Sequence, residues 1–545
     1  EVRLFPRGFA ETVEVISEAI ESAGPSSTPV TPEQVFRAPG SIDNVFRTLD
    51  TLPGVASTDD FGSRLAVRGG TPDQNLTIMD GVEVHNPYRL FGIASAFNPD
   101  TVENFQLTAG GFGAAYGDRL SSLLVVDNRP GRSEFQGSTA ASVTDANVVV
   151  EGRTPLGPEG TWLVSARRTY YDLVAGPLID QDFPAFADVQ IRAGWESEAG
   201  YQLTLTGLGS TESANLDFGD RRDQSEERAA LGSDIVNGLA SARLDASLSS
   251  RGTSTTIISW YRNSERIDFD GLLQNGARSN APDDAGAFGL SPIVFDRLIS
   301  VKDISLRQDV DYRVSERHLM SLGIELHRLK TNVGLSITGD RNPTEANGSS
   351  IQGGAGLPDT LDSTLNGTRG GLWLQDIYTP SQRLSFEPGV RLDWSTINGG
   401  ATLSPRLAGS YALGRGMRLR AAGGLYTQSP GYEKLSQSDY FIDLSSTREL
   451  GLRHEKATHL VVGVEQELPG DLSARVEGYY KRFHDLLVGR LETEEERLIR
   501  IARYDFPVSL RSSVPAAAQI RSDPTNDAGG DAYGLDLFLM HNNAA

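Results

Sequence analysis

The sequence predicts a mostly β protein, a transmembrane antiparallel β-barrel preceded by a small α+β domain. Three observations lead there. No run approaches the ~18 apolar residues that a membrane helix needs, and only 38% of the 545 residues are hydrophobic. Beyond residue 131, stretches of ~8–14 residues alternate strictly between apolar and polar, the period of a two-faced strand. Apart from two short links near 144 and 397, the links between those stretches alternate in length, long then tight, as they do when long loops gather at one end of a barrel and short turns at the other.

Taken in order, residues 1–33 form an N-terminal segment. It is short and β-like at first, and from Ser22 to Glu33 it reads as a Pro/Ser/Thr linker. Residues 34–131 form a compact mixed unit. A helix is expected over Ser41 to Leu52, with Ile42, Val45, Phe46 and Leu49 on one face and Pro53-Gly54 as its stop. Short strands should follow at Arg64 to Arg68, Leu76 to Met79, Val82 to Val84, Glu103 to Leu107 and Leu123 to Val126, with Asp80-Gly81 as a hairpin turn.

Residues 132–545 supply about sixteen strands. Ile304, Leu306, Val310, Tyr312 and Val314 share one face, opposite Arg307, Asp309, Asp311 and Arg313. Leu472, Ala474 and Val476 oppose Ser473, Arg475 and Glu477 in the same way. Full charges on every second residue suit a wet lumen behind a lipid-facing surface. Trp162, Trp195, Trp260, Trp373 and Trp394 fall near strand ends, as in an interfacial aromatic girdle. The front unit also sets the size of the barrel. A 100-residue domain is roughly 34 Å across. Strands ~4.8 Å apart, tilted by ~40°, give a backbone radius of about 16 Å for sixteen strands and 22 Å for twenty-two. Only the larger barrel holds the unit as a plug, so twenty-two strands are expected, about six of them beyond Ala545. The fragment alone should leave open edges near Phe135 and Phe538, and should aggregate.

Composition excludes several function classes. A formal net charge of −22 argues against nucleic acid as a partner. The absence of Cys removes disulfides, thiolate zinc sites and cysteine nucleophiles. The seven His form no HExxH and no GxSxG is present, so no catalytic residue, metal ligand or cofactor is assigned and the chain does not read as an enzyme. Gly69-Gly70 and Gly110-Gly111-Phe112-Gly113 match no phosphate-loop pattern. The cluster Glu492, Glu494, Glu495 and Glu496 reads as a solvated loop, with calcium or a cationic ligand as the alternative.

The run Arg64 to Gly70, then Asp73-Gln74-Asn75 through Asp80-Gly81-Val82, resembles the plug of TonB-dependent outer-membrane receptors. So do Asn86-Pro87-Tyr88, Phe91-Gly92, Asn98-Pro99, Gly110-Gly111-Phe112, Tyr116-Gly117 and Ser121-Ser122. In the barrel, Ser404-Pro405-Arg406-Leu407, the stretch Gly424 to Pro430 and the stretch Glu477 to Arg482 are also similar to the family. The resemblance implies a 22-strand barrel in the outer membrane of a Gram-negative bacterium, in contact with lipid and lipopolysaccharide. It implies import of a scarce extracellular ligand (ferric siderophore, cobalamin or glycan) gated by the plug and driven through TonB by ExbB-ExbD. Glu11, Thr12, Val13, Glu14 and Val15 resemble the TonB box, which suits strand addition to a partner's sheet edge; the alternative is the tail of an upstream domain. Asp73, Gln74, His85, Tyr88, Arg89, Phe91, Phe112 and Tyr116 are implied to lie on the outward plug apices, where aromatics with an Arg and a His suit an anionic, partly apolar ligand. The bland alternative packs Phe91, Phe112 and Tyr116 inside. Arg64, Arg68 and Arg119 should dock the plug, pairing with carboxylates of the plug or of a lumen face carrying Glu325, Arg391, Asp393 and Glu477. Two other readings are a receptor with a signalling role and a surface β-rich adhesin or glycan-binding protein without transport.

Overall fold

The structure is a computed structural model that describes residues 24–58, 62–142, 145–155, 159–174, 183–197, 199–218, 228–274, 290–339, 360–437, 442–470, 472–503 and 520–541. Glu11 to Val15 lie outside these residues. Sixteen strands, from Gln136–Ala141 to Ile520–His541, pair in sequence order into one antiparallel sheet. A five-stranded mixed sheet of the front unit is packed against it. Its order is Ser27–Val30, Val102–Thr108, Ser122–Asn128, Asn75–Met79, Val82–Glu83, with Asn75–Met79 parallel to Ser122–Asn128. No described helix is long and apolar enough to cross a membrane.

Strand alternation sorts the large sheet into a lipid face and an inner face. Leu535, Leu537 and Leu539 are each about two-thirds exposed while Asp536 between them is buried, and Ile304, Leu306, Tyr312 and Val314 likewise point outward. Arg475 and Glu477 are buried on the opposite side from Val476. Trp373 departs from the expected girdle. It is buried on the inner face, where the guanidiniums of Arg307 and Arg391 lie 4.7 and 5.2 Å from its ring centre.

Several strands are far longer than alternation suggested. Leu290–Ser315 runs 26 residues and Gly252–Gln274 runs 23, although about 9–11 span a membrane. The turns at the short-link end stay tight, so the excess rises on the long-link side. There no lipid selects apolar side chains, and the period fades in stretches such as Asp268-Phe269-Asp270-Gly271.

Two expectations for the front unit change. Ser27–Val30, read as linker, is an edge strand of the plug sheet paired with Val102–Thr108. Pro29 concealed it, because a residue without an N–H cannot donate to a ladder and is disfavoured away from sheet edges. Thr31 then caps the helix Pro32–Arg37 through a capping box with Gln34. The second helix is only Val45–Leu49, capped by Asn44, because Ile42 and Asp43 take positive φ values of 51° and 56°. The Asp80-Gly81 hairpin forms as read, with both residues left-handed and Met79 facing Val82. The plug core gathers Phe46, Leu49, Phe97, Phe105 and Val126. It continues without a break into Leu208, Leu239, Ile257 and Tyr261 of the wall.

Candidate functional site: the plug–wall contacts and the strap above them

Two charged clusters join plug and wall. The first is built on Arg68, which ends the strand Leu65–Val67. Positive φ values at Arg68 (46°) and Gly69 (78°) turn its side chain toward the wall. Its Nε donates to Asp536 at 2.9 Å and its Nη2 to Glu477 at 2.6 Å, and the ring of Tyr479 lies 4.7 Å away. Its Nη1 donates to Ser26 Oγ at 2.7 Å. Glu477 also accepts the Ser26 N–H at 2.8 Å and its hydroxyl at 2.7 Å. Arg475 donates to Ser27 O and Thr28 Oγ1. The first strand of the plug is therefore pinned to the wall by the same carboxylate that holds Arg68.

The second cluster lies on the plug's other flank. Arg119 donates to Glu83 at 2.8 Å, and Arg369 of the wall bonds both Glu83 and Asp118. Lys434 reaches Asp118 at 2.9 Å. His85 stands 3.3 Å from Glu83 and 3.2 Å from Asp303, which also meets His327 at 2.8 Å. Burial alone would raise the two plug carboxyls. Arg369 and Arg119 hold Glu83 well below its usual range, and Lys434 with the same two arginines does so for Asp118. Nearby, Arg391 pairs with Asp393 and Glu325. Arg406 donates to the carbonyls of Gly113 and Tyr116 at 2.5 and 2.6 Å and lies 4.2 Å from the ring centre of Tyr426. A small cleft opens here, lined by Asp118, Glu325, His327, Arg369, Trp394 and His454 among others.

The described residues of the link after the strand Met417–Gln428, 429–437 and 442–454, fold back onto the plug and wall. Ser429 N donates to Asp118 at 2.6 Å, and Gln437 Nε2 donates to His85 O. Its short helix, Tyr432–Leu435, lies against the turn Pro72–Gln74. Tyr432 and Leu435, with Ile442, Leu444 and Leu452, pack on Ile299, Val301 and Val333 of other wall strands. This strap crosses the plug.

Most of the apical expectation fails: the strap covers the turn Pro72–Gln74 and His85, and the plug core and the wall bury the rest. Asp73, Gln74, His85, Tyr88, Arg89 and Phe112 are all buried. Tyr88 packs on Phe46 at 4.6 Å, with its hydroxyl pushed up to about 12 by burial. Arg89 faces Glu212 at 3.4 Å. Phe112 lies 4.5 Å from Tyr426, ring centre to ring centre. Tyr116 is half-buried beside Arg307. Phe91 alone of the eight is exposed, at 40%, in a turn where it and Leu90 take positive φ. Arg68 and Arg119 are docked by carboxylates, and Arg64 is half-buried at the start of its strand. Ser26, Arg369, Lys434 and Gln437 were missed by the sequence reading. Only Ser429-Pro430-Gly431, a turn signal followed by Tyr432 and Leu435, hinted that this link carries its own apolar anchor.

Comparison with known proteins agrees with this architecture. Residues 20–122 match the TonB-dependent receptor plug domain and residues 194–494 the TonB-dependent receptor-like β-barrel. The chain belongs to the TonB-dependent receptor family, a family of outer-membrane receptors and transporters rather than enzymes. It is 27% identical over 173 residues to the TonB-dependent transporter Oar of Myxococcus xanthus; that match takes in 29% of this chain and 16% of the relative's length. Among solved structures it is similar to the siderophore receptor PirA from Pseudomonas aeruginosa, with a TM-score of 0.61, 15% identity, and coverage of 94% of this chain and 81% of that one. A variant of the ferric enterobactin receptor PfeA from the same organism gives 0.64, 17%, 97% and 78%. At these identities the likeness is one of fold.

Proposed function

We propose that the protein is a TonB-dependent active transporter that imports a scarce extracellular ligand across the outer membrane of a Gram-negative cell. The observation that carries this reading is the seating of the plug. It is a separate five-stranded unit, held inside the wall by ion pairs and hydrogen bonds that can be broken and remade, and its first strand is the one nearest the N-terminus. Tension on Glu11 to Val15, the TonB-box-like stretch, would load that strand first. ExbB-ExbD would supply the energy through TonB. Ferric siderophores, cobalamin and glycans are the ligand classes that the family resemblance implies. A static adhesin has no need of a plug clamped at both flanks, so the transport reading is preferred to it.

The test is binding of the periplasmic domain of TonB to the purified full chain. Because strand addition uses main-chain bonds, Val13→Pro should abolish binding and Val13→Ala should leave it within about twofold. Equal binding by the Val13→Pro protein removes the box.

A further inference from the structure

The strap occupies a seat whose chemistry can be read from what it offers. The floor offers acceptors: the Asp118 carboxylate, which also bonds Arg369, takes the Lys434 ammonium and the Ser429 main-chain N–H, and the His85 carbonyl takes the Gln437 amide. The side wall is apolar, Ile299, Val301 and Val333 against Tyr432 and Leu435. The seat is not saturated. Asp73 is 3% exposed, on the turn against which the strap helix lies, and its Oδ1 accepts no hydrogen bond. Within the strap Glu433 is fully buried and neither oxygen accepts a hydrogen bond, with Lys434 Nζ standing 3.7 Å off. A buried carboxylate so poorly served costs free energy in the closed state, so the strap is a replaceable occupant.

We propose that the seat beneath the strap is a binding site for a cationic, peptide-like chain, and that residues 429–437 are its resident stand-in. The incoming chain would place an ammonium on Asp118 and donate its amide N–H groups to the floor. It would set an aromatic or branched side chain against Ile299 and Val333. This reverses the sign of ligand that the Arg and His of the apices suggested. Arg89 faces Glu212 and His85 lies between two carboxylates, while the cation that the strap itself delivers to the floor is the Lys434 ammonium on Asp118. That such a ligand arrives from outside rests on the transport reading; the site itself does not.

The experiment uses the purified full chain in lipid nanodiscs without TonB. Its probe is a capped synthetic peptide of residues 429–437, beside the same peptide with Gln in place of the lysine. Lys434→Gln and a second variant, with a Gly-Ser bridge replacing residues 431–437, open the strap in two ways. The native sequence has no Cys, so Pro72→Cys, in a buried turn under the strap helix, places a single thiol there whose maleimide reaction reports opening. The expected result is slow labelling in the Pro72→Cys background and fast labelling when either opening change is added. The peptide should bind the opened chains at least ~10-fold more tightly than the closed one, since apparent affinity scales with the open fraction, and should protect the thiol. The Gln peptide should bind at least ~10-fold more weakly than the Lys peptide. Equal binding of the two peptides, no binding to either opened chain, or a thiol unreactive in both would each overturn the proposal. TonB-domain binding to the same preparations is independent of these outcomes, so a failed box and a failed seat are told apart.

Discussion

Arg68 shows how one side chain can carry a docking interface. Its guanidinium meets Glu477, Asp536 and the Ser26 hydroxyl, and all three groups are buried. Removing one partner from such a set leaves uncompensated charge, typically a loss of 3–5 kcal/mol. Arg68→Ala should therefore loosen the plug by about that much while leaving the wall paired. Limited proteolysis of the reconstituted protein should show plug cleavage with the wall protected, and Arg68→Lys should recover only part of the loss, because an ammonium lacks the planar fork. Unchanged plug resistance in Arg68→Ala would show that the apolar contacts of Leu208, Leu239, Ile257 and Tyr261 hold the plug by themselves.

At the scale of elements, the hairpin Asn75–Met79 to Val82–Glu83 turns on Gly81, with φ at +85° and an added Cβ falling 2.3 Å from Ile257 Cδ1 of the wall. Gly81→Val should cost the ~1 kcal/mol or more of backbone strain, and the Ile257 side chain must also move aside. The melting temperature of the plug is the check, and an unchanged value would contradict the tight seating. The plug should also be acid-labile. Glu83 and Asp118 have folded values held below their unfolded ones, so their stabilisation is complete above the ordinary carboxylate range near about 4 and is lost as pH falls below it. Asp73, raised by burial, opposes this and gains from acid. Protease susceptibility of the plug should rise below about pH 4 while the wall stays intact. Loss of both together would contradict separate docking.

These elements also show what a sequence makes legible. Arg68, Glu477 and the alternating strands could be read because local pattern and charge reveal them. The N-terminal strand hid behind Pro29, whose missing N–H reads as a linker until a sheet edge is known. Beyond the turn signal at Ser429-Pro430-Gly431 the strap could not be read, since its partners lie about a hundred residues or more away on Leu290–Ser315 and His318–Gly339, and no local period encodes that crossing.

For the whole molecule, the outward belt sets the solvent. Leu537 is 64% exposed beside buried Asp536. Leu537→Arg should cost ~2–4 kcal/mol of folding into a bilayer if it lies near the midplane, read as a lower urea midpoint in vesicles; no change would put that strand outside the lipid. The central claim is that a plug, loaded from its first strand, moves inside a wall that stays put. The most direct measurement is single-molecule pulling on the N-terminus of the chain held in a bilayer. An early transition that releases the plug alone is expected. The ~100 residues from Ser27 to Asn128 limit its extension to roughly 340 Å before any wall strand yields, and Arg68→Ala should lower the first rupture force. Extraction of wall strands without that transition, or a first rupture indifferent to Arg68, would contradict it.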